Sequence, residues 1–257
     1  MPLLDIDRIT IRFGGLTAVA DFSMTLEKND ICGLIGPNGA GKTTVFNMLT
    51  GVYRPSSGTI RFNGESIAGL KPYNITSRRI ARTFQNIRLM KNLTVLENVK
   101  ISFVYQTKSN LAESILRLPG YFREEMDVEK KSMELLKVFH LDGKKDELAA
   151  NLPYGEQRRL EIARALATNP KLLLLDEPAA GMNPQETQEL ADLIRWIREK
   201  FDIAVLLIEH DMRLVMGVCE NIIVLDYGRI IAQGTPEEIR NNPKVIEAYL
   251  GEEAAHA

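Results

Sequence analysis

Cysteine is scarce in this 257-residue chain: Cys32 and Cys219 stand far apart, and no C-x-x-C pair exists. That excludes a disulfide framework and suggests no cysteine metal site. Both lie in apolar surroundings, so they read as buried free thiols in a reducing compartment. A charge excess is also missing. The formal net charge is −2 and the pI about 6.0, so no nucleic-acid partner held by bulk electrostatics is expected. Long hydrophobic runs are absent as well. The longest candidates, Leu172 to Leu175 and Ile203 to Ile208, fall far below the roughly 18 to 20 residues of a membrane span. The start, Met1-Pro2-Leu3-Leu4-Asp5-Ile6-Asp7, is acidic where an export signal would be basic, so export is not expected. There is no internal repeat and no low-complexity tract.

A hydrophobic content of 45% is enough for a sizeable core. Short apolar runs alternate with helical patterns, which predicts an α/β protein with a largely parallel sheet. Strands are expected at Leu3 to Ile11, Met24 to Leu26, Ile31 to Ile35, Thr59 to Phe62, Lys171 to Leu175, Ile203 to Ile208, Ile222 to Leu225 and Arg229 to Ala232. From Thr94 to Asn151 strand signals fade. Glu124 to His140 places Met126, Met133, Leu136 and His140 at near-helical spacing, which predicts a mainly helical subdomain with one solvated face. Tyr105 to Tyr121, with Pro119-Gly120, reads as an irregular insertion: a loop flanking a short helix. Thr235-Pro236-Glu237-Glu238 is a capping box, and Asn242-Pro243 begins another helix.

The chemistry begins at Gly36-Pro37-Asn38-Gly39-Ala40-Gly41-Lys42-Thr43-Thr44, which contains G-x-x-x-x-G-K-T. Glycines at 36, 39 and 41 allow backbone N–H groups to turn inward as an anion nest ahead of a helix running from Lys42 to Leu49. That helix adds roughly half a positive charge at its start. Lys42 then reaches the β- and γ-phosphates of a nucleotide and the Thr43 hydroxyl ligates Mg²⁺. The apolar run Ile31 to Ile35 supplies the strand that must precede the loop. A dinucleotide fold is disfavoured, because its glycines are spaced G-x-G-x-x-G.

Leu172 to Leu175 ends in Asp176-Glu177, a strand tip with two carboxylates. Beside a phosphate loop, Asp176 can hold the Mg²⁺ shell and Glu177 can orient or deprotonate an attacking water. Three further residues say little alone. His210 follows the strand ending at Glu209, Gln85 follows Arg82-Thr83-Phe84, and Phe13 precedes Gly14-Gly15, where it could equally be a core aromatic.

The order of these elements resembles the ATP-binding subunits of ABC transporters over nearly the whole chain. That resemblance implies a P-loop ATPase with a mostly parallel core sheet, an N-terminal antiparallel β part and an inserted helical subdomain. It divides the chain into residues 1–85 (core with phosphate loop), 86–155 (helical subdomain) and 156–257 (rest of the core with C-terminal helices). It implies that Phe13 stacks on adenine, that Gln85 senses the γ-phosphate, contributes to the Mg²⁺ site and touches a membrane partner, and that His210 is the switch histidine. The family's signature loop, usually Leu-Ser-Gly-Gly-Gln, falls on Leu152-Pro153-Tyr154-Gly155-Glu156. Pro153 has neither the serine hydroxyl nor an N–H, so the γ-phosphate of the opposite subunit must be met by Tyr154, Gly155, Glu156 and the helix behind them. Asn183, in Ala180-Gly181-Met182-Asn183, stands where an aspartate is usual and can keep hydrogen bonds across a dimer.

Three segments, Leu152 to Leu160, Asp176 to Pro184 and Ile208 to Met212, look like the LivG-type subunits of bacterial branched-chain amino acid importers, as does the tail Tyr249-Leu250-Gly251-Glu252. The resemblance implies ATP and Mg²⁺ as cofactors and a head-to-tail arrangement with a second ATP-binding subunit. It also implies transmembrane permease partners, an indirect role for an extracytoplasmic binding protein, and a peripheral place on the cytoplasmic face of the membrane. Two alternatives stand. One is the ATPase of a lipopolysaccharide or lipid exporter or of another ABC system, although similar lipopolysaccharide-export ATPases usually keep Ser-Gly-Gly in the signature. The other is a P-loop GTPase switch, whose best guanine-reading candidate, Gly143-Lys144-Lys145-Asp146, lacks the asparagine.

Overall fold

The computed structural model describes residues 1–105 and 119–255. In chain order the elements are β1 (Leu4–Phe13), β2 (Leu16–Leu26), β3 (Ile31–Ile35), α1 (Lys42–Leu49), β4 (Ser57–Phe62), β5 (Glu65–Ser66), α2 (Pro72–Ser77), β6 (Ile80–Arg82), α3 (Val95–Lys100), α4 (Pro119–Val138) and α5 (Tyr154–Ala167). There follow β7 (Leu172–Asp176), α6 (Pro184–Phe201), β8 (Ala204–Ile208), α7 (Met212–Val218), β9 (Asn221–Asp226), β10 (Arg229–Gly234), α8 (Pro236–Arg240) and α9 (Pro243–Ala255). They fall into two compact units, Met1–Gln85 with Lys171–Ala257, and Asn86–Pro170.

The first unit holds two sheets. One is antiparallel, in the order β2-β1-β4-β5, and the other follows the order β10-β9-β3-β8-β7-β6. Strands β3, β7 and β8 are buried at every position, which is why their sequences are unbroken apolar runs rather than alternating ones. All three are parallel, with Leu34 opposite Ile208 and Asp176 opposite Ile208. Strand β9 runs parallel to β3 on its other side, and β6 parallel to β7. Five carboxyl ends therefore open on one edge, where ligands of doubly wound sheets bind. The core joins the two sheets through Ile6, Phe22, Phe46, Leu174 and Leu206, all buried.

Two differences from the sequence reading have physical causes. Strand β6 is only three residues long and went unseen, because Ile-Ala-Arg shows no usable period. Strand β2 begins eight residues ahead of its expected start at Met24, at Leu16, because exposed positions in its first half hide the alternation.

The second unit is helical, and among its described residues the β structure is a single bridge between Thr94 and Leu148. It ends at Pro170 rather than at residue 155, because α3 and α4 pack on α5. Helix α4 begins at Pro119, so Pro119-Gly120 opens a helix instead of sitting in a loop. Residues 106–118 of the expected insertion lie outside the described residues. The buried face of α4 is Ser132, Leu135 and Leu136, followed by Phe139 just past its end. Met126 and His140, expected on that stripe, are exposed. Buried Asn98 ties down the preceding loop, accepting from Met90 N and donating to the Met90, Leu93 and Thr94 carbonyls.

Candidate functional site

The loop between β3 and α1 is shaped by its glycines. Gly36 has φ 146° and Gly41 φ 105°. A Cβ at Gly36 would lie 1.9 Å from the Leu225 carbonyl oxygen, so any side chain there would push the loop off strand β9. Gly41 is the N-cap of α1, and neither a capping side chain nor an acidic residue occupies the first turn. The helix start is thus left to an anion. Lys42 is buried, and its Nζ donates to the Gly36 and Pro37 carbonyls at 2.7 and 2.8 Å, which folds the ammonium back over the loop. Thr43 and Thr44 follow in the first turn.

At the tip of β7, Asp176 is buried, and its Oδ2 accepts from Arg82 Nη2 at 2.7 Å. The same guanidinium bonds Asn47 Oδ1 and Thr50 Oγ1 at the far end of α1. Arg82 and Asn47 are residues the sequence reading missed. The signal available was only an arginine three positions before Gln85.

Glu177 gathers the other residues. Gln85 Nε2 donates to Glu177 Oε2 at 2.7 Å, and His210 Nδ1 lies 3.7 Å from the same oxygen. Gln85 reaches it from the end of β6 and His210 from the end of β8, so three separate strands deliver one cluster. Glu177 itself has φ 46°, a left-handed conformation that costs a non-glycine residue about 1–3 kcal/mol.

Phe13 closes β1 and is 44% exposed. Tyr53 packs edge-on against it, with centroids 5.2 Å apart and planes at 71°. Phe13 is therefore braced and accessible rather than a core aromatic, and Tyr53 is a third residue the sequence reading missed.

The altered signature loop belongs to the helical unit. Pro153 is the N-cap of α5 and offers no capping side chain. Tyr154 is half exposed, and its hydroxyl accepts from buried Arg158 at 3.2 Å. Glu156 is gripped by Lys144 at 2.7 and 2.8 Å, so its carboxylate charge is met within the unit. Asn183 spends its side-chain oxygen on the amides of Gln185 and Glu186 as the N-cap of α6.

Both thiols are buried. Burial, with the nearby Asp30 carboxylate, pushes Cys32 up to about 12, and burial raises Cys219 as well. Among the described residues no cluster of three histidine, cysteine or acidic side chains could hold a metal by itself, and no helix is long and apolar enough to cross a membrane.

A glycine-shaped phosphate loop, an acidic strand tip and a glutamine–glutamate–histidine cluster on one sheet edge define a P-loop ATPase. The ABC transporter family model matches residues 19–180, and the chain belongs to that family as an ATPase subunit coupled to transport. A second model, the branched-chain amino acid ATP-binding cassette transporter, matches residues 229–255.

The chain is 48% identical to the high-affinity branched-chain amino acid transport ATP-binding protein LivG of Salmonella typhimurium over 251 residues, 98% of each chain. It is 46% identical to the corresponding protein BraF of Pseudomonas aeruginosa, again over 98% of each. Among solved structures it resembles an ATP-binding cassette of an ABC transporter in its ADP conformation, with a TM-score of 0.85 and 32% identity over 98% of this chain and 100% of that one.

Proposed function

We propose that this chain is the ATP-hydrolysing subunit of a branched-chain amino acid importer and that Glu177 orients and deprotonates the attacking water. The observation that carries the catalytic assignment is the convergence of Gln85 and His210 on Glu177 Oε2. The substrate class is supported by near-complete coverage at almost half identity with LivG and BraF, and by the C-terminal match.

ATP lies with its adenine on Phe13 and its phosphates in the loop from Gly36 to Thr44. Lys42 exchanges the Gly36 and Pro37 carbonyls for phosphate oxygens, which replaces two neutral acceptors with charged ones. Thr43, Asp176 and the Gln85 side-chain oxygen would hold Mg²⁺, and this all-oxygen set suits that ion. Arg82 fixes one Asp176 carboxylate oxygen, Oδ2, at 2.7 Å, and the ion would be met by the other. Bound Mg²⁺ supplies neutralisation of charge on the β- and γ-phosphates. His210 reaches the γ-phosphate and, with Gln85, keeps the Glu177 carboxylate aimed.

A second ATP-binding subunit, head to tail, completes the site with the backbone N–H groups of its Tyr154, Gly155 and Glu156 at the start of α5. Glu156 contributes through its backbone, because Lys144 holds its carboxylate. The helical unit, residues 86–170, and Gln85 pass closure to permease subunits at the cytoplasmic face of the membrane, with a substrate-binding protein acting through the permeases. Glu177→Gln tests the reading in the assembled transporter. Turnover should fall at least 100-fold with ATP binding retained, since proton transfer by a positioned base contributes about 10²–10⁴-fold. Unchanged hydrolysis overturns the base assignment, and ATP-dependent vesicle uptake that ignores labelled leucine, isoleucine and valine overturns the substrate class.

A further inference from the structure

Glu209 is a buried carboxylate whose one basic neighbour among the described residues is His210 Nδ1, 3.8 Å from Oε2. Its side chain is fully buried just past β8, and no lysine or arginine pairs with it among the described residues. A buried carboxylate persists only when its lone pairs are met. Here backbone amides meet them. Oε1 accepts from Ala179 N at 2.7 Å, and Oε2 accepts from His210 N at 2.9 Å and Asp211 N at 3.1 Å. The two oxygens hold two different loops: one leaves β7 through Glu177, and the other carries His210.

The first of these loops needs a restraint. Glu177 sits at φ 46°, where a non-glycine residue stays only if its surroundings over-determine it. Its N–H donates to the Ile208 carbonyl at 2.9 Å, and two residues later the Ala179 N–H donates to Glu209. Ile208 and Glu209 thereby clamp both ends of the turn that aims the Glu177 carboxylate. The same Glu209 sets the backbone from which His210 reaches to within 3.7 Å of Glu177 Oε2.

We infer that Glu209 is a positioning residue for hydrolysis, fixing the placement of Glu177 relative to His210. The inference rests on the reading of Glu177 as the group that orients water. It requires a carboxylate, because acceptors are needed on both sides. A glutamine would present one oxygen and one NH₂, so either the Ala179 amide or the His210 and Asp211 amides would face a donor. Aspartate keeps the charge beside its own loop but falls one methylene short of Ala179.

The test compares Glu209→Gln and Glu209→Asp with the parent in steady-state ATP hydrolysis and in titration with labelled ATP. Each variant should lose roughly 100-fold in kcat, the scale of a misplacement of about 1 Å, while ATP affinity stays within about twofold, because the phosphate loop is untouched. A kcat within about threefold of the parent in both variants overturns the inference. So does a parallel loss of kcat and ATP affinity, which is the mark of an anchor for the fold alone. If neither variant folds, amide exchange in the unaltered chain decides: protection at Ala179 equal to that at His210 and Asp211 supports the clamp, and an unprotected Ala179 overturns it. Glu177→Gln in parallel separates the two readings. An active Glu177→Gln removes the catalytic assignment itself, whereas an inactive Glu177→Gln beside an active Glu209→Gln removes only the clamp.

Discussion

Replacing Arg82 with methionine removes the hub between the acidic strand tip and the end of α1. Its guanidinium bonds Asp176 Oδ2 at 2.7 Å, Asn47 Oδ1 at 2.8 Å and Thr50 Oγ1 at 3.2 Å, and lies 5.5 and 5.0 Å from the rings of Phe46 and Phe84. Both charged side chains of the ion pair are only 6% exposed, so solvent does little to screen it. Methionine fills much of the space but leaves Asp176 buried without its cation, and breaking such a pair costs about 3–5 kcal/mol. For a chain of this size that lowers the melting temperature by roughly 6–20 °C. Arg82→Lys should fall between, since one ammonium cannot serve Asp176, Asn47 and Thr50 together. In a double-mutant cycle, Arg82→Met combined with Asp176→Asn should recover about 1–3 kcal/mol, because the uncompensated charge is gone. Differential scanning calorimetry on the four proteins of the cycle and on Arg82→Lys gives these numbers. A loss below about 1 kcal/mol for Arg82→Met, the value of an exposed pair, refutes the reasoning.

Lys42→Ala should weaken ATP binding by about 10- to 100-fold, the value of hydrogen bonds to a charged group, read in a titration with labelled ATP. Tyr53→Ala should weaken it by about 2- to 10-fold through loss of the edge-on brace behind Phe13, with kcat at saturating ATP unchanged. A lower kcat at saturation would instead place Tyr53 in the chemistry. Cys32 is raised from the usual 9.0 to about 12, so its contribution to stability is fully present below about pH 9 and is lost as pH rises towards 12. Equilibrium unfolding across that range should show the decline, and Cys32→Ala should reduce it, with buried Cys219 supplying a further part. At pH 7 neither thiol should react with iodoacetamide in the folded chain, since both lack thiolate character.

Local chemistry made part of this protein readable from its residues in order. Three glycines, a lysine and a threonine at fixed spacing specify a phosphate loop, because each has a separate steric or charge reason to be there. Unbroken apolar runs at Ile31, Leu172 and Ile203 specify buried parallel strands, since both faces must be covered. The helix from Lys42 to Leu49 and the cap at Thr235 were legible for the same reason, being built from contacts a few residues apart. Gln85 and His210 took their roles from the resemblance, and Glu177 took its role from its place at the acidic tip of an apolar strand. Their meeting at one oxygen depends on the parallel pairing of β6, β7 and β8, which brings together positions 92 residues apart in the case of Gln85 and Glu177. Arg82 and Glu209 were invisible for the converse reason. A lone arginine and a lone glutamate have no pattern, and only burial among specific partners turns the one into a hub and the other into a clamp. The sequence by itself determined which loop has the glycines, lysine and threonine that phosphate binding calls for. The tertiary structure decided which side chains meet beyond the strand ends, because orientation across a sheet edge is a property of strand order and register rather than of neighbours along the chain.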